Sequence, residues 1–126
     1  MRFMMLMIPN ITPKEWMPSA EAVAGMARYN EELMKAGALL SADGLHPPTQ
    51  GARVTFGRGG QAVVTDGPFS EAREVIGGYW IVQARSLEEA KAWARRCPAD
   101  EGNVIEVRQI FEMSDFPEDV QRAASR

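Results

Sequence analysis

Apolar residues occupy both alternating sets of the segment RFMMLMI, with Phe3, Met5 and Met7 on one and Met4, Leu6 and Ile8 on the other. A two-sided run of this kind predicts a strand covered on both faces, ended by Pro9. The spacing then changes. Ser19 is a suitable cap for a helix carrying Val23, Met26, Ala27, Leu33 and Met34 on one face, and Gly37 supplies a left-handed stop. Residues 38–45 read as a second strand, closed by HPPTQG, whose two prolines and glycine demand a loop. Residues 52–56 and 61–65 flank GRGG and predict a small hairpin. Residues 79–84 alternate Trp80 and Val82 against Tyr79 and Ile81, giving another two-sided strand. Ser86 opens SLEEAKAWARRC, a helix with Glu88 and Glu89 in its first turn, Arg95 and Arg96 in its last, and a stripe of Leu87, Ala90, Ala94 and Cys97. Residues 103–112 form the last long strand. Val104, Glu106, Arg108 and Ile110 lie on one of its faces, and Ile105, Val107, Gln109 and Phe111 are expected to meet the helices. A short helix, DVQRAAS, is predicted in the tail after Pro117.

The order strand, helix, strand, inserted hairpin, strand, helix, strand is the split βαβ pattern of an α+β, ferredoxin-like fold, with two helices on one face of an antiparallel sheet. Two helices cover only one face. The two-sided strands would leave an apolar patch on the other, so the pattern predicts a homodimer in which two sheets face each other around a shared cavity. Concave, mostly apolar spaces suit small molecules.

A chain of 126 residues fits one domain with a sizeable core, residues 113–126 reading as a C-terminal extension. With 14 basic residues scattered among 17 acidic ones and a formal net charge of -3, no basic stripe points to direct nucleic-acid binding. The single Cys97 excludes an internal disulfide and any CxxC metal site, and fits a reducing cytoplasm. No run approaches the ~20 apolar residues of a membrane span. MRFMMLMI is expected to be a first strand rather than a secretory leader, because Pro9, Asn10, Pro13 and Lys14 follow at once with no small-residue cleavage site.

The segment VTDGPFSEAREVIGGYW concentrates the candidate chemistry. Asp66, Gly67 and Pro68 have the properties of a rigid turn, since Asp bonds nearby amides, Gly accepts unusual dihedrals, and Pro fixes its own φ while restricting Gly67. The same turn would present Asp66 to a cavity as acid, base or polar anchor, with Phe69 as an apolar plug. Glu71, Arg73 and Glu74 read as a solvated turn of helix. If Glu74 approached Asp66, two close carboxylates would push one pKa upward, as acid-base work near neutrality requires. Glu106 and Arg108 lie two apart on one strand face and serve either as an ion pair at a dimer seam or as ligand-binding residues, Arg108 being suited to two-pronged recognition of a carboxylate. His46 in GLHPP is a second candidate proton carrier, against the reading of a solvated loop histidine. Trp16 is either a packing residue or a lid. Cys97 follows two arginines, which favour thiolate, while burial at a helix end favours thiol. GRGG lacks the length and lysine of a phosphate loop.

TDGPFSEAREVIGGYWIV, followed by a helix ending AWARRCP and a strand IEVRQI, resembles the DGPF family of YCII-related proteins, and the likeness runs from RFMMLMI through LMKAGALLSADGLHPP to IEVRQI. The resemblance implies a dimeric α+β barrel with a ferredoxin-like protomer, and it assigns neither an activity nor a cofactor. Glu74 matches a carboxylate of the family signature. The wider YCII group has a proposed His/Asp centre, and the resemblance sets Met26 and Cys97 at those two places, so this chain departs from the pair. It also implies an association with a sigma factor of the extracytoplasmic-function class. Two functional expectations follow: a cytoplasmic, dimeric small-molecule-binding protein or enzyme of unassigned reaction, with Asp66, Glu106 and Arg108 lending polarity to an apolar cavity, or a regulatory interaction module acting on such a sigma factor.

Overall fold

The computed structural model describes residues 1–12, 15–67 and 75–125. Among them run β1 (Arg2–Ile8), α1 (Ala20–Lys35), β2 (Leu39–Gly44), β3 (Ala52–Phe56), β4 (Ala62–Asp66), β5 (Gly78–Gln83), α2 (Leu87–Arg95), β6 (Val104–Gln109) and α3 (Glu118–Ala124). Four strands form an antiparallel sheet in the order β2-β5-β1-β6, while β3 and β4 pair separately as a hairpin. This is the ferredoxin-like α+β arrangement, with the two strands read as two-sided, β1 and β5, at its centre.

Local chemistry sets the helix ends. The Ser19 hydroxyl accepts from the Ala22 amide at 3.1 Å, and the Ser86 hydroxyl from the Glu89 amide at 3.1 Å, each satisfying one orphan donor of a first turn. Helix α1 ends in a Schellman turn. Gly37 takes φ +68°, its amide donates to the Met34 carbonyl at 3.0 Å, and the Ala38 amide donates to the Leu33 carbonyl at 2.9 Å. The chain thereby turns straight into β2, where the register shifts between Leu39 and Ser41, leaving Leu40 as a bulge.

Phe3, Met5, Trp80 and Val82 from the sheet are buried with Ala84 just beyond β5, Tyr29 and Leu33 of α1, Ala38, and Ala90 of α2. The Tyr29 and Trp80 rings meet edge to face at 5.8 Å. Their polar ends are satisfied: the Tyr29 hydroxyl donates to the Trp93 carbonyl at 2.6 Å, and the Trp80 indole donates to Asn30 Oδ1 at 2.8 Å. Arg96 stacks over the Trp93 ring and pairs with Glu32 at 2.6 Å, a second tie between the two helices.

Three expectations about which side faces inward are corrected. In α1 the inward line runs through Met26, Tyr29 and Leu33, whereas Val23 and Met34 are exposed. The expected stripe lies about a quarter-turn too far round, because Tyr29 is the ring that the core admits. In α2, Ala90, Trp93, Ala94 and Cys97 pack inward and Leu87 is exposed. On β6, Ile105 and Val107 meet the core as expected, but Phe111 lies beyond the strand's end, exposed, and stacks on Phe116 at 4.8 Å.

Candidate functional site

In antiparallel pairing, directly opposed residues share a face, so the registers define the sheet surface away from the helices. One row reads Asp43, Tyr79, Leu6, Glu106 across β2, β5, β1 and β6, and the next reads Ser41, Ile81, Met4, Arg108. The middle of this face is apolar, and Met4, Leu6, Ile8 and Ile81 are each partly exposed. Its two borders are polar. At one, the Tyr79 hydroxyl donates to Asp43 Oδ2 at 2.7 Å; at the other, Arg108 and Glu106 approach to 4.0 Å, both exposed. At ~4.8 Å between strands, the borders stand roughly 14 Å apart.

Glu106 and Arg108 therefore share the face away from the helices, beside Leu6 and Met4. Asp43 and Tyr79 form a pair that spacing alone does not reveal. The sequence holds both, in ADG and GGYW, but joining them requires the β2-to-β5 register, which the Leu40 bulge makes illegible from spacing alone.

Asp66 stands elsewhere, on the separate hairpin, paired with Ala52 and exposed. Among the described residues no hydrogen bond or ion pair joins it to Glu106 or Arg108. Gly67 has an evident structural duty. Its amide donates to the Gly51 carbonyl at 2.9 Å, and a Cβ at this position would overlap the Pro48 carbonyl. The signature glycine thus packs main chain on main chain between the hairpin root and the loop that precedes it. Pro68, Phe69, Glu71, Arg73 and Glu74 lie outside the described residues, so the proposed Asp66–Glu74 approach does too. His46 is exposed on the same preceding loop. Trp16 is half-buried, its indole donating to the Leu45 carbonyl at 2.8 Å, and it lies close to Gly77.

Beneath α1, where β2 ends and β5 begins, Met7, Met26, Asn30, Gly44, Gly78 and Trp80 surround a cleft of about 200 Å³. That is smaller than the ~300–1,000 Å³ of most small-molecule sites. A shallower cleft of about 570 Å³ lies at the opposite end, beside Gly37, Arg85 and Trp93. Neither is lined by Asp66, Glu106, Arg108 or His46. Among the described residues no three His, Cys, Asp or Glu side chains converge as a metal site, and no helix is long and apolar enough to cross a membrane.

Burial decides the state of Cys97. Its thiol is pushed up to about 11 by desolvation, against the influence anticipated from the neighbouring arginines. The Tyr29 phenol is also raised, by burial first and by Cys97 second. At the surface, the hydrogen bond from Arg2 holds the Glu112 carboxyl below its ordinary range across a 2.6 Å contact.

The model of the YCII-related domain matches residues 1–114. The chain belongs to the YCII-related domain family. An uncharacterized protein of Rhizobium meliloti (strain 1021) is 38% identical over 48 residues, which are 38% of this chain and 39% of that relative. The match thus spans about two-fifths of the curated relative's length. With YCII membership established, one contact acquires meaning: Cys97 Sγ lies 4.0 Å from Met26 Sδ, although the two are 71 positions apart. Those are the two places to which the resemblance assigned the group's His/Asp pair. They are adjacent in space, and two sulfurs with no acid-base capacity near neutrality occupy them.

Proposed function

We propose that this YCII-related protein works as a homodimer that encloses a small molecule between two opposed sheets, with Glu106 and Arg108 as its polar anchors and Asp66 presented at the mouth from the hairpin root. The carrying observation is the sheet face itself, an apolar centre bounded by Asp43–Tyr79 on one border and Glu106–Arg108 on the other. Covering an apolar centre favours association, and polar borders give a ligand orientation. Arg108 suits a planar anion such as a carboxylate, which it engages with two parallel donors. The sulfur pair at Met26 and Cys97 argues against the acid-base centre proposed for the wider group, so any chemistry falls to the open face. The single protected thiol is compatible with work in a reducing cytoplasm.

Native mass spectrometry of the protein purified from its own host tests this reading. A dimer mass carrying a retained metabolite, lost from Arg108→Ala while the dimer persists, is the expected result. Co-purification with a transcription component, together with unchanged cellular function after Asp66→Asn, would replace it with the regulatory reading and its sigma-factor partner.

A further inference from the structure

All residues of β3 and β4 are exposed, and an isolated two-stranded hairpin is marginal in water. The register nonetheless gives this hairpin a distinctly apolar side, Val54 opposite Val64 and Phe56 opposite Ala62, and the Phe56 ring is 74% exposed. The segment from Gly51 to Thr65 is also basic, with Arg53 and Arg58 and no acid.

A second exposed apolar surface lies after β6. Phe111, 69% exposed, stacks on Phe116 with Met113 exposed beside it, and EMSDFPED (112–119) carries four acids and no base. Glu112 is taken by Arg2, and Asp115 accepts from the Glu112 amide. Glu118 has a loose 3.7 Å partner in Arg122, and Asp119 is exposed. The two surfaces are therefore complementary in both charge and apolarity, yet they do not meet in one copy. The hairpin leaves the sheet beyond Gly44, which pairs with Gly78, whereas the tail leaves at the other end, where the Ile110 amide donates to the Arg2 carbonyl. The length of a strand, on the order of 20 Å, separates these ends.

We infer that the β3–β4 hairpin is an arm that docks on a second copy of this chain, its Val54–Val64–Phe56 side on that copy's Phe111–Met113 shelf and its Arg58 facing that copy's Glu118 and Asp119. The inference rests on the dimer proposed above. Of the two-fold axes that set two sheets face to face, one perpendicular to the strands brings each hairpin to the end of the sheet where the other copy's tail lies. A five-residue hairpin reaches ~17 Å, enough to span the ~14 Å width of the sheet. Phe56 and two valines offer on the order of 300 Å², less than half of the ~800 Å² per partner that a stable interface needs. The arm contact accordingly reinforces the sheet-to-sheet contact and does not replace it. Because the association is isologous, it occurs twice.

Sedimentation of the full chain and its variants across nanomolar to micromolar concentrations tests the arm. Phe56→Asp, at an exposed position, is expected to keep the far-ultraviolet spectrum and to weaken dimerisation at least tenfold. Arg58→Glu is expected to weaken it severalfold, and Arg58→Glu combined with Glu118→Lys and Asp119→Lys is expected to recover it. Mixing a Phe56→Cys chain with a Met113→Cys chain should give an oxidised heterodimer. Wild-type dimerisation by Phe56→Asp, with no heterodimer cross-link, overturns the arm and leaves the dimer standing. A parent chain that stays monomeric at micromolar concentration overturns both.

Discussion

Cys97 shows how one side chain's surroundings outweigh its neighbours in sequence. Two preceding arginines favour the thiolate, but partial burial against the core raises the thiol to about 11. An ordinary thiol titrates near 8.5, so the unfolded chain releases this proton first. The protection is intact below that range and is lost as pH rises through about 11. Thermal midpoints are therefore expected to fall across this alkaline window, and to fall less in Cys97→Ala. At neutral pH, iodoacetamide should label Cys97 only on unfolding, as peptide mass spectrometry would reveal. Gly67 is the other instructive residue: Gly67→Ala drives a methyl into the Pro48 carbonyl. Forced contacts of this kind cost about 1–3 kcal/mol. Calorimetry should register a lower midpoint, and amide exchange should quicken at the hairpin root.

At the scale of elements, alternation and helical spacing make nearly every strand and helix of the sheet layer legible, because each buries one clear set of side chains, whereas the hairpin about GRGG, exposed throughout, is legible from its glycine-rich turn. Helix phase was less legible. Val23 and Met34 are apolar but exposed, whereas Tyr29 carries a hydroxyl yet is buried, since the Trp93 carbonyl is positioned to accept from it. Tyr29→Phe is expected to cost only about 0.5–1.5 kcal/mol, the usual net worth of one hydrogen bond. Leu33→Ala, at a fully buried position on the same helix, should cost about 2–5 kcal/mol through cavity formation. Chemical denaturation of the two variants would distinguish a tie between helices from a core position. Of the candidate site, Glu106 and Arg108 could be set on one face from their two-residue spacing, while Asp43 and Tyr79 could not be joined without knowing where β2 slips against β5.

For the whole molecule, the decisive surface is the sheet face opposite α1 and α2. Leu6→Arg places a charge in its centre without touching the helix-side core, and is expected to leave a folded protomer that no longer self-associates, as light scattering would show. The two rims of that sheet are unlike. At β2 the bulge at Leu40 distorts the outermost strand, whereas β6 runs six residues with an even register. Irregular rims resist the addition of further strands. A growing fibre requires two receptive ends, and this sheet supplies one. Rim-to-rim joining would consume the β6 side of both copies at once, leaving a closed pair with nowhere for a third to attach.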